Sequence, residues 1–238
     1  MSNSAKEQEI NEEAVHNITS AHDLSGNVDE LSAHYSDWAG TYDDDVSSHG
    51  YTGPAYIAKL GAKLLKGMAD RHPGTAKKDV RILDAGCGTG LVGVELEKLG
   101  FPKIYGCDLS QEMVDKAEGT GTYRELHGDI NLEEPVTCFG DTRFDAILSC
   151  GVFTLGHVPP EALLNLVPLL SEDGVIVLST RQRYTSEHRF EDWCRKQEQK
   201  GTLVLDEVII GAPYISDEQA DYWIVRPPSA AKSAKKVA

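Results

Sequence analysis

Apolar side chains recur every three to four residues between Val28 and Val46, where Leu31, Tyr35, Trp38 and Tyr42 share one side. That spacing predicts an amphipathic helix or two short ones. Pro54 marks a second helix start, and Ile57, Leu60, Leu64, Leu65 and Met68 line one face until His72-Pro73-Gly74 stops it. After Asp79 the period changes: the short apolar runs VRILDA, KIYGCD, YRELHGD, FDAILSCGV and GVIVLST alternate with the helical stretches LVGVELEKLG, SQEMVDKAEG and PEALLNLVPLLSEDG. Ser110 is placed to cap the second of these helices. Residues 182–200 read as a polar helical insertion, with GTLVLDEVIIGAPY and QADYWIVRP as a final antiparallel hairpin at the sheet edge. Strands alternating with helices predict an α/β fold: a Rossmann-like, doubly wound, seven-stranded and mostly parallel sheet with an antiparallel edge strand. The domain expectation is a loosely ordered acidic stretch at 1–26, a helical cap at 27–72, the α/β domain at 79–226 and a flexible basic tail at 227–238.

Charge adds a constraint on partners. The 238 residues carry 23 basic and 38 acidic side chains, a formal net charge of −15. The acidity is concentrated, because residues 1–50 hold eleven acids against Lys6 alone. Binding to nucleic acid runs through Lys and Arg on phosphates, so a nucleic-acid partner is not expected. The longest apolar runs (VIVL, LVL, VII) are far short of a membrane span, and no basic-then-apolar leader is seen. The five cysteines are odd in number with no CxxC pair, so neither a disulfide framework nor a metal site follows and a cytoplasmic setting is expected.

The stretch that carries chemistry is Asp84-Ala85-Gly86-Cys87-Gly88-Thr89-Gly90, between a strand and a helix. Glycines permit the tight turn and remove Cβ atoms from a ligand's path, and the following helix offers free amides and a partial positive charge. Asp108, ending the second strand, is placed to accept ribose hydroxyls. Gly88-Thr89-Gly90-Leu91-Val92-Gly93 also matches the dinucleotide fingerprint GxGxxG, but there Gly93 falls a full turn inside the helix. Asp84, immediately before the turn, sits badly beside a pyrophosphate and suits a ligand with an ammonium group.

With those residues the segment resembles motif I of the class I S-adenosylmethionine-dependent methyltransferases. The resemblance implies S-adenosylmethionine as cofactor, with Asp84, Gly86, Cys87, Gly88 and Gly90 around its methionine end. It further implies Asp108 on the ribose, Leu109 and Met113 beside the adenine, Asp129 accepting from the adenine amino group, Ile130 over the ring and Cys150 near the transferred methyl. HYSDWAGTYDDDV is similar to an element of small-molecule methyltransferases akin to the Williams–Beuren-region methyltransferase-like proteins. There Tyr35, Trp38 and Tyr42 would cap the cationic sulfonium, although an aromatic stripe buried for packing explains the same residues. Strand four ends Ser149-Cys150-Gly151-Val152-Phe153 rather than in the Asn/Asp-Pro-Pro-aromatic pattern of enzymes that methylate DNA and protein nitrogens. The expected partner is therefore a small-molecule methyl acceptor, with monomer and homodimer both open. His49, Tyr51 and His157 are the candidate catalytic groups. A resemblance to bacterial enzymes that methylate indole C3 in pyrroloindoline formation gives a narrower expectation. A catalytically inactive S-adenosylmethionine sensor or scaffold is the alternative.

Overall fold

The computed structural model describes residues 27–71, 76–216 and 218–230. The expectations for residues 1–26, for the stop at 72–74 and for the tail beyond residue 230 lie outside them.

The fold starts from three helices, α1 (Val28–Trp38), α2 (Tyr42–Ser48) and α3 (Gly53–Arg71). Asn27 begins α1 by accepting from the Asp29 and Glu30 amides at 3.0 and 3.4 Å. Seven strands follow: β1 (Ile82–Ala85), β2 (Ile104–Cys107), β3 (Glu125–His127), β4 (Phe144–Phe153), β5 (Leu170–Arg181), β6 (Val204–Ile215) and β7 (Glu218–Arg226). Between them lie α4 (Leu91–Lys98), α5 (Gln111–Gly119), α6 (Leu163–Leu166), α7 (Gln182–Glu187) and α8 (Phe190–Lys200). Ser110 caps α5, its Oγ accepting from the Met113 amide at 3.2 Å.

The sheet order is β3-β2-β1-β4-β5-β7-β6. β1 pairs in parallel with β2 and β4, β4 with β5, and β7 runs antiparallel between β5 and β6. All four β1 residues are buried, as expected for a strand covered on both faces. One apolar layer gathers Leu83, Phe144, Ile147, Leu163, Tyr184 and Phe190; the other packs α3 through Ile57 and Leu65 against Ile82, Leu148 and Tyr222.

Three expectations need correction. The run PEALLNLVPLLSEDG is no continuous helix: α6 lasts four residues between 3-10 turns, and Leu170–Asp173 belongs to β5. Pro168 has no amide to donate, so the helix cannot pass it. Next, α3 is not part of a cap, because its apolar face is buried against the sheet; α1 and α2 alone sit over the strand ends. Finally, the insertion is not wholly polar, because Tyr184 is completely buried and donates to the Val158 carbonyl at 3.0 Å.

Candidate functional site

β1 and β4 are the neighbours at which the strand order reverses, so a crevice opens beyond their carboxyl ends. Its floor is the glycine loop. Gly86 is left-handed (φ +76°), and a Cβ there would lie 2.1 Å from Val152 Cγ2, so the loop and the end of β4 touch directly. Gly88 (φ +53°) lines the crevice, and a Cβ on it would meet open space. Its amide donates to Asp108 Oδ2 at 2.8 Å, while the Ser110 amide donates to Oδ1 at 3.0 Å. Two amides thus orient the Asp108 carboxylate at the crevice wall; burial pushes its pKa up and those hydrogen bonds oppose the rise.

The crevice is lined along its length by Leu109, Met113, Ile130 and Leu132, and at its far end by Cys150, Gly151 and Val152. Tyr35 and Tyr42 close it from the cap. A second cavity adjoins it, sharing Tyr35, Tyr42 and Gly151 and adding Trp38, Tyr51, Arg181 and Tyr214. The Tyr51 hydroxyl lies 3.4 Å from Cys150 Sγ and donates to Tyr214 Oη at 3.3 Å, so Tyr51 stands in the wall between the cavities. Burial holds the Tyr35, Tyr42, Tyr51 and Tyr214 phenols well above their ordinary pKa and pushes the Cys150 thiol up to about 12. All five groups are neutral near pH 7.

The cap is fastened to this floor by polar contacts. Asp43 accepts from Thr89 Oγ1 of the glycine loop, and Ser36 Oγ donates to Glu112 of α5 at 2.6 Å. Asp45 is buried and accepts from Trp38 Nε1 at 2.7 Å and Thr41 Oγ1 at 3.1 Å. Two acids of the Asp43–Asp45 cluster therefore hold the cap together rather than face a ligand.

Of the residues read from the sequence, Tyr35, Tyr42, Gly86, Gly88, Asp108, Leu109, Met113, Ile130, Cys150 and His157 meet in the large crevice, while Trp38 and Tyr51 line the adjoining cavity. Others do not meet there. Asp84 is completely buried below the loop, where Tyr123 Oη donates to its Oδ2 at 2.6 Å; desolvation pushes its pKa up to about 7, against that hydrogen bond. Cys87 is buried against Val114 and Ala117. A Cβ at Gly90 would press on Tyr123 and Ala117, so this glycine serves packing. Gly93 does likewise, because its Cβ would come within 2.4 Å of the Tyr123 ring, which removes the dinucleotide fingerprint as a ligand motif. Asp129 is exposed outside the crevice wall. His49 ends α2 and turns its Nδ1 back onto the Asp45 carbonyl at 2.9 Å, away from both cavities. Phe153, three residues beyond Cys150, is buried in the core.

His157 is in place but engaged. Its Nδ1 lies 3.2 Å from the Leu155 carbonyl, which can only accept, and its Nε2 lies 2.8 Å from Tyr35 Oη. The Leu155 carbonyl requires a proton on Nδ1, while Nε2 shares a hydrogen bond with the Tyr35 hydroxyl. Tyr123, Arg181 and Tyr214 were missed in the sequence. No short motif marks them, since each reaches the site through the register of a distant strand.

The residues fit the cofactor the motif implies. Asp108 is pre-oriented for a vicinal diol, and the wall is apolar where a purine would lie. Buried Asp84 Oδ1 lacks a hydrogen-bond partner among the described residues, placing negative potential beneath the loop and under a cationic group.

The model of a methyltransferase domain matches residues 54–204. The human methyltransferase-like protein 27 is 35% identical over 147 residues, 62% of this chain and 56% of that protein. The malonyl-[acyl-carrier protein] O-methyltransferase of Bacillus cereus is 29% identical over 68% of this chain and 58% of its own length. The chain thus spans little more than half of these curated relatives. Among solved structures, a TehB-like SAM-dependent methyltransferase from Corynebacterium glutamicum is 25% identical with a TM-score of 0.57, covering 82% of this chain and 98% of that one. The plantazolicin methyltransferase, solved with a monoazolic desmethylPZN analogue and SAH, shares the fold at 17% identity and a TM-score of 0.56, over 84% of this chain and 97% of that one. The chain belongs to the methyltransferase-domain family, and its cofactor is S-adenosylmethionine.

Proposed function

We propose that the protein transfers a methyl group from S-adenosylmethionine to a small-molecule acceptor, an indole or other aromatic natural product. The observation that carries this reading is the junction of two cavities: a crevice with Asp108 and the glycine loop at one end opens, at Tyr35, Tyr42 and Gly151, into an aromatic-walled cavity. When bound, the cofactor would supply an electrophilic methyl carbon, whose bond to sulfur breaks with its electron pair as an electron pair of the acceptor takes the carbon.

The chain's own residues align and enclose. Asp108 fixes one end of the donor, and Tyr35 and Tyr42 bring electron-rich faces to the junction, where they favour a positive charge and keep water out. The neutral phenols and thiol around the junction supply no strong base. His157, the nearest candidate, acts through Tyr35, whose hydroxyl it holds in a hydrogen bond. Trp38, Tyr51 and Tyr214 give flat walls against which an indole ring can stack, and C3 of an indole needs little help to act as a nucleophile. Among the described residues no helix is long and apolar enough to cross a membrane, and we place the enzyme in the cytoplasm.

Incubation with labelled S-adenosylmethionine and a panel of indoles, phenols and amines tests the reading. Label should pass to an aromatic acceptor. Tight binding of S-adenosylhomocysteine with no transfer to any acceptor would instead identify a sensor.

A further inference from the structure

Two series of hydrogen bonds meet at the Tyr214 hydroxyl. In one, the Tyr51 hydroxyl lies 3.4 Å from Cys150 Sγ and donates to Tyr214 Oη at 3.3 Å. Tyr51 has a single proton, so the Cys150 thiol is the donor in the first of these contacts. In the other, the Gly151 amide donates to Ser179 Oγ at 3.0 Å, and the Ser179 hydroxyl gives to Tyr214 and to Cys150 Sγ. Burial raises the Tyr214 pKa, and the two bonds it receives work against that rise. Both series run toward Tyr214. Its oxygen therefore accepts twice, and among the described residues no acceptor takes its own proton.

The space left to that proton is the second cavity, whose wall Tyr214 helps to form. The surroundings fix where the hydroxyl stands. The Thr52 amide and hydroxyl both donate to the Tyr214 carbonyl, at 2.7 and 3.2 Å, and the Tyr51 and Tyr214 rings meet edge-on at 5.2 Å. A Cβ on Gly151 would lie 3.1 Å from each of the two phenol oxygens. Gly151 lines both cavities, so the Tyr214 hydroxyl stands beside the opening to the donor crevice rather than at the far end of the second cavity.

A hydroxyl that already receives two hydrogen bonds is polarised into a stronger donor, with no lone pair to spare. An apolar ring filling the cavity would take water from this donor and leave it unpaired, which is costly. A carbonyl oxygen would satisfy it, whereas an N–H group would find nothing to bind there.

Building on the methyl-transfer reading, we propose that Tyr214 determines acceptor specificity: its hydroxyl binds a carbonyl oxygen that an aromatic acceptor carries close to the atom receiving the methyl group. Tyr51 and Ser179 are then positioning residues, which hold the Tyr214 proton toward the acceptor.

Calorimetric titration of the full chain, saturated with S-adenosylhomocysteine, tests this with two matched pairs: 3-acetylindole against 3-ethylindole, and acetophenone against ethylbenzene. At least one ketone should bind about fivefold or more tightly than its alkyl partner. In Tyr214→Phe that preference should vanish while S-adenosylhomocysteine affinity stays within about twofold of wild type. Tyr42→Phe, which removes a neighbouring phenol that lines both cavities, should keep the preference. Equal affinity within both pairs, no binding of either ketone, a preference that survives in Tyr214→Phe, or one lost in Tyr42→Phe instead overturns the proposal. Should Tyr214→Phe not fold, the wild-type comparison of ketone with alkyl partner, together with Tyr42→Phe, decides. Failure of the wild-type chain to bind S-adenosylhomocysteine would overturn the methyl-transfer reading itself, a separate result.

Discussion

Gly86 and Gly88 are two residues apart, are both left-handed, and answer to different demands. A methyl group on Gly86 collides with Val152 inside the protein, whereas one on Gly88 meets only the crevice. Gly86→Ala should therefore lower the melting temperature by several degrees, since both backbone strain and overpacking act on the fold. Gly88→Ala should carry only the strain, about 1 kcal/mol, yet lose S-adenosylhomocysteine binding because the new methyl stands where the ligand must lie. Melting curves and calorimetry on the two variants separate these outcomes; loss of binding with an unchanged fold in Gly86→Ala would contradict the assignment. Asp84 offers a second test. Its carboxyl, raised by burial to about 7 from an ordinary 3.8, holds a proton more tightly in the folded chain than in the unfolded one. Its contribution therefore favours folding at low pH, declines as pH rises from about 4 through about 7, and stays unfavourable above that. Asp84→Asn removes this dependence while keeping an acceptor for Tyr123. Its stability relative to wild type should grow between pH 5 and pH 8, as measured by thermal melts, and a constant difference would refute the raised pKa. Motif spacing made Gly86, Gly88 and Asp108 legible in the sequence. It could not show that Asp84 points down onto Tyr123, because the rotamer at a strand end is chosen by the neighbour across the helix, 39 residues away.

The cap illustrates how much a periodic pattern can and cannot reveal. The 3–4 spacing of Leu31, Tyr35, Trp38 and Tyr42 was enough to foresee helices, and the alternation after residue 79 was enough to foresee the sheet. The break at Thr41, between α1 and α2, and the loss of the sixth helix at Pro168 were the harder parts, since a chain breaker ends a helix without fixing the conformation of the residues beyond it. The edge hairpin was legible as two strands, but not its consequence. The amide of Thr52 donates to the Tyr214 carbonyl at 2.7 Å and Tyr51 bridges to Ile215, so the hairpin clasps the segment between α2 and α3 and completes the second cavity. On the opposite side, polar contacts keep the cap seated: Thr89 to Asp43, and Ser36 to Glu112. Each such contact is worth about 1 kcal/mol. Thr89→Val should leave the melting temperature within a few degrees of wild type but weaken S-adenosylhomocysteine binding about fivefold, by letting α1 and α2 lift. Amide hydrogen exchange should locate the loosening in residues 28–48. Faster exchange spread evenly over the sheet would show that the bond stabilises the whole fold instead.

The net charge of −15 is a property of the entire chain and acts beyond any one contact. S-adenosylmethionine carries one more positive charge than S-adenosylhomocysteine, on the sulfonium, and differs from it only by that methyl group. Two kinds of interaction can favour the charged form. Close ones, such as the faces of Tyr35 and Tyr42 or the buried Asp84, act within a few ångströms and are hardly altered by salt. The field of the acidic surface acts across the solvent and is screened once the Debye length shrinks from roughly 30 Å at 0.01 M to roughly 4 Å near 0.5 M salt. The ratio of the two affinities across that range therefore divides the preference into a local and a global part. The expected result is a preference for S-adenosylmethionine over S-adenosylhomocysteine that falls severalfold as sodium chloride rises. A ratio that does not change with salt would confine the electrostatics to the pocket walls and return the acidity of residues 1–50 to solubility alone.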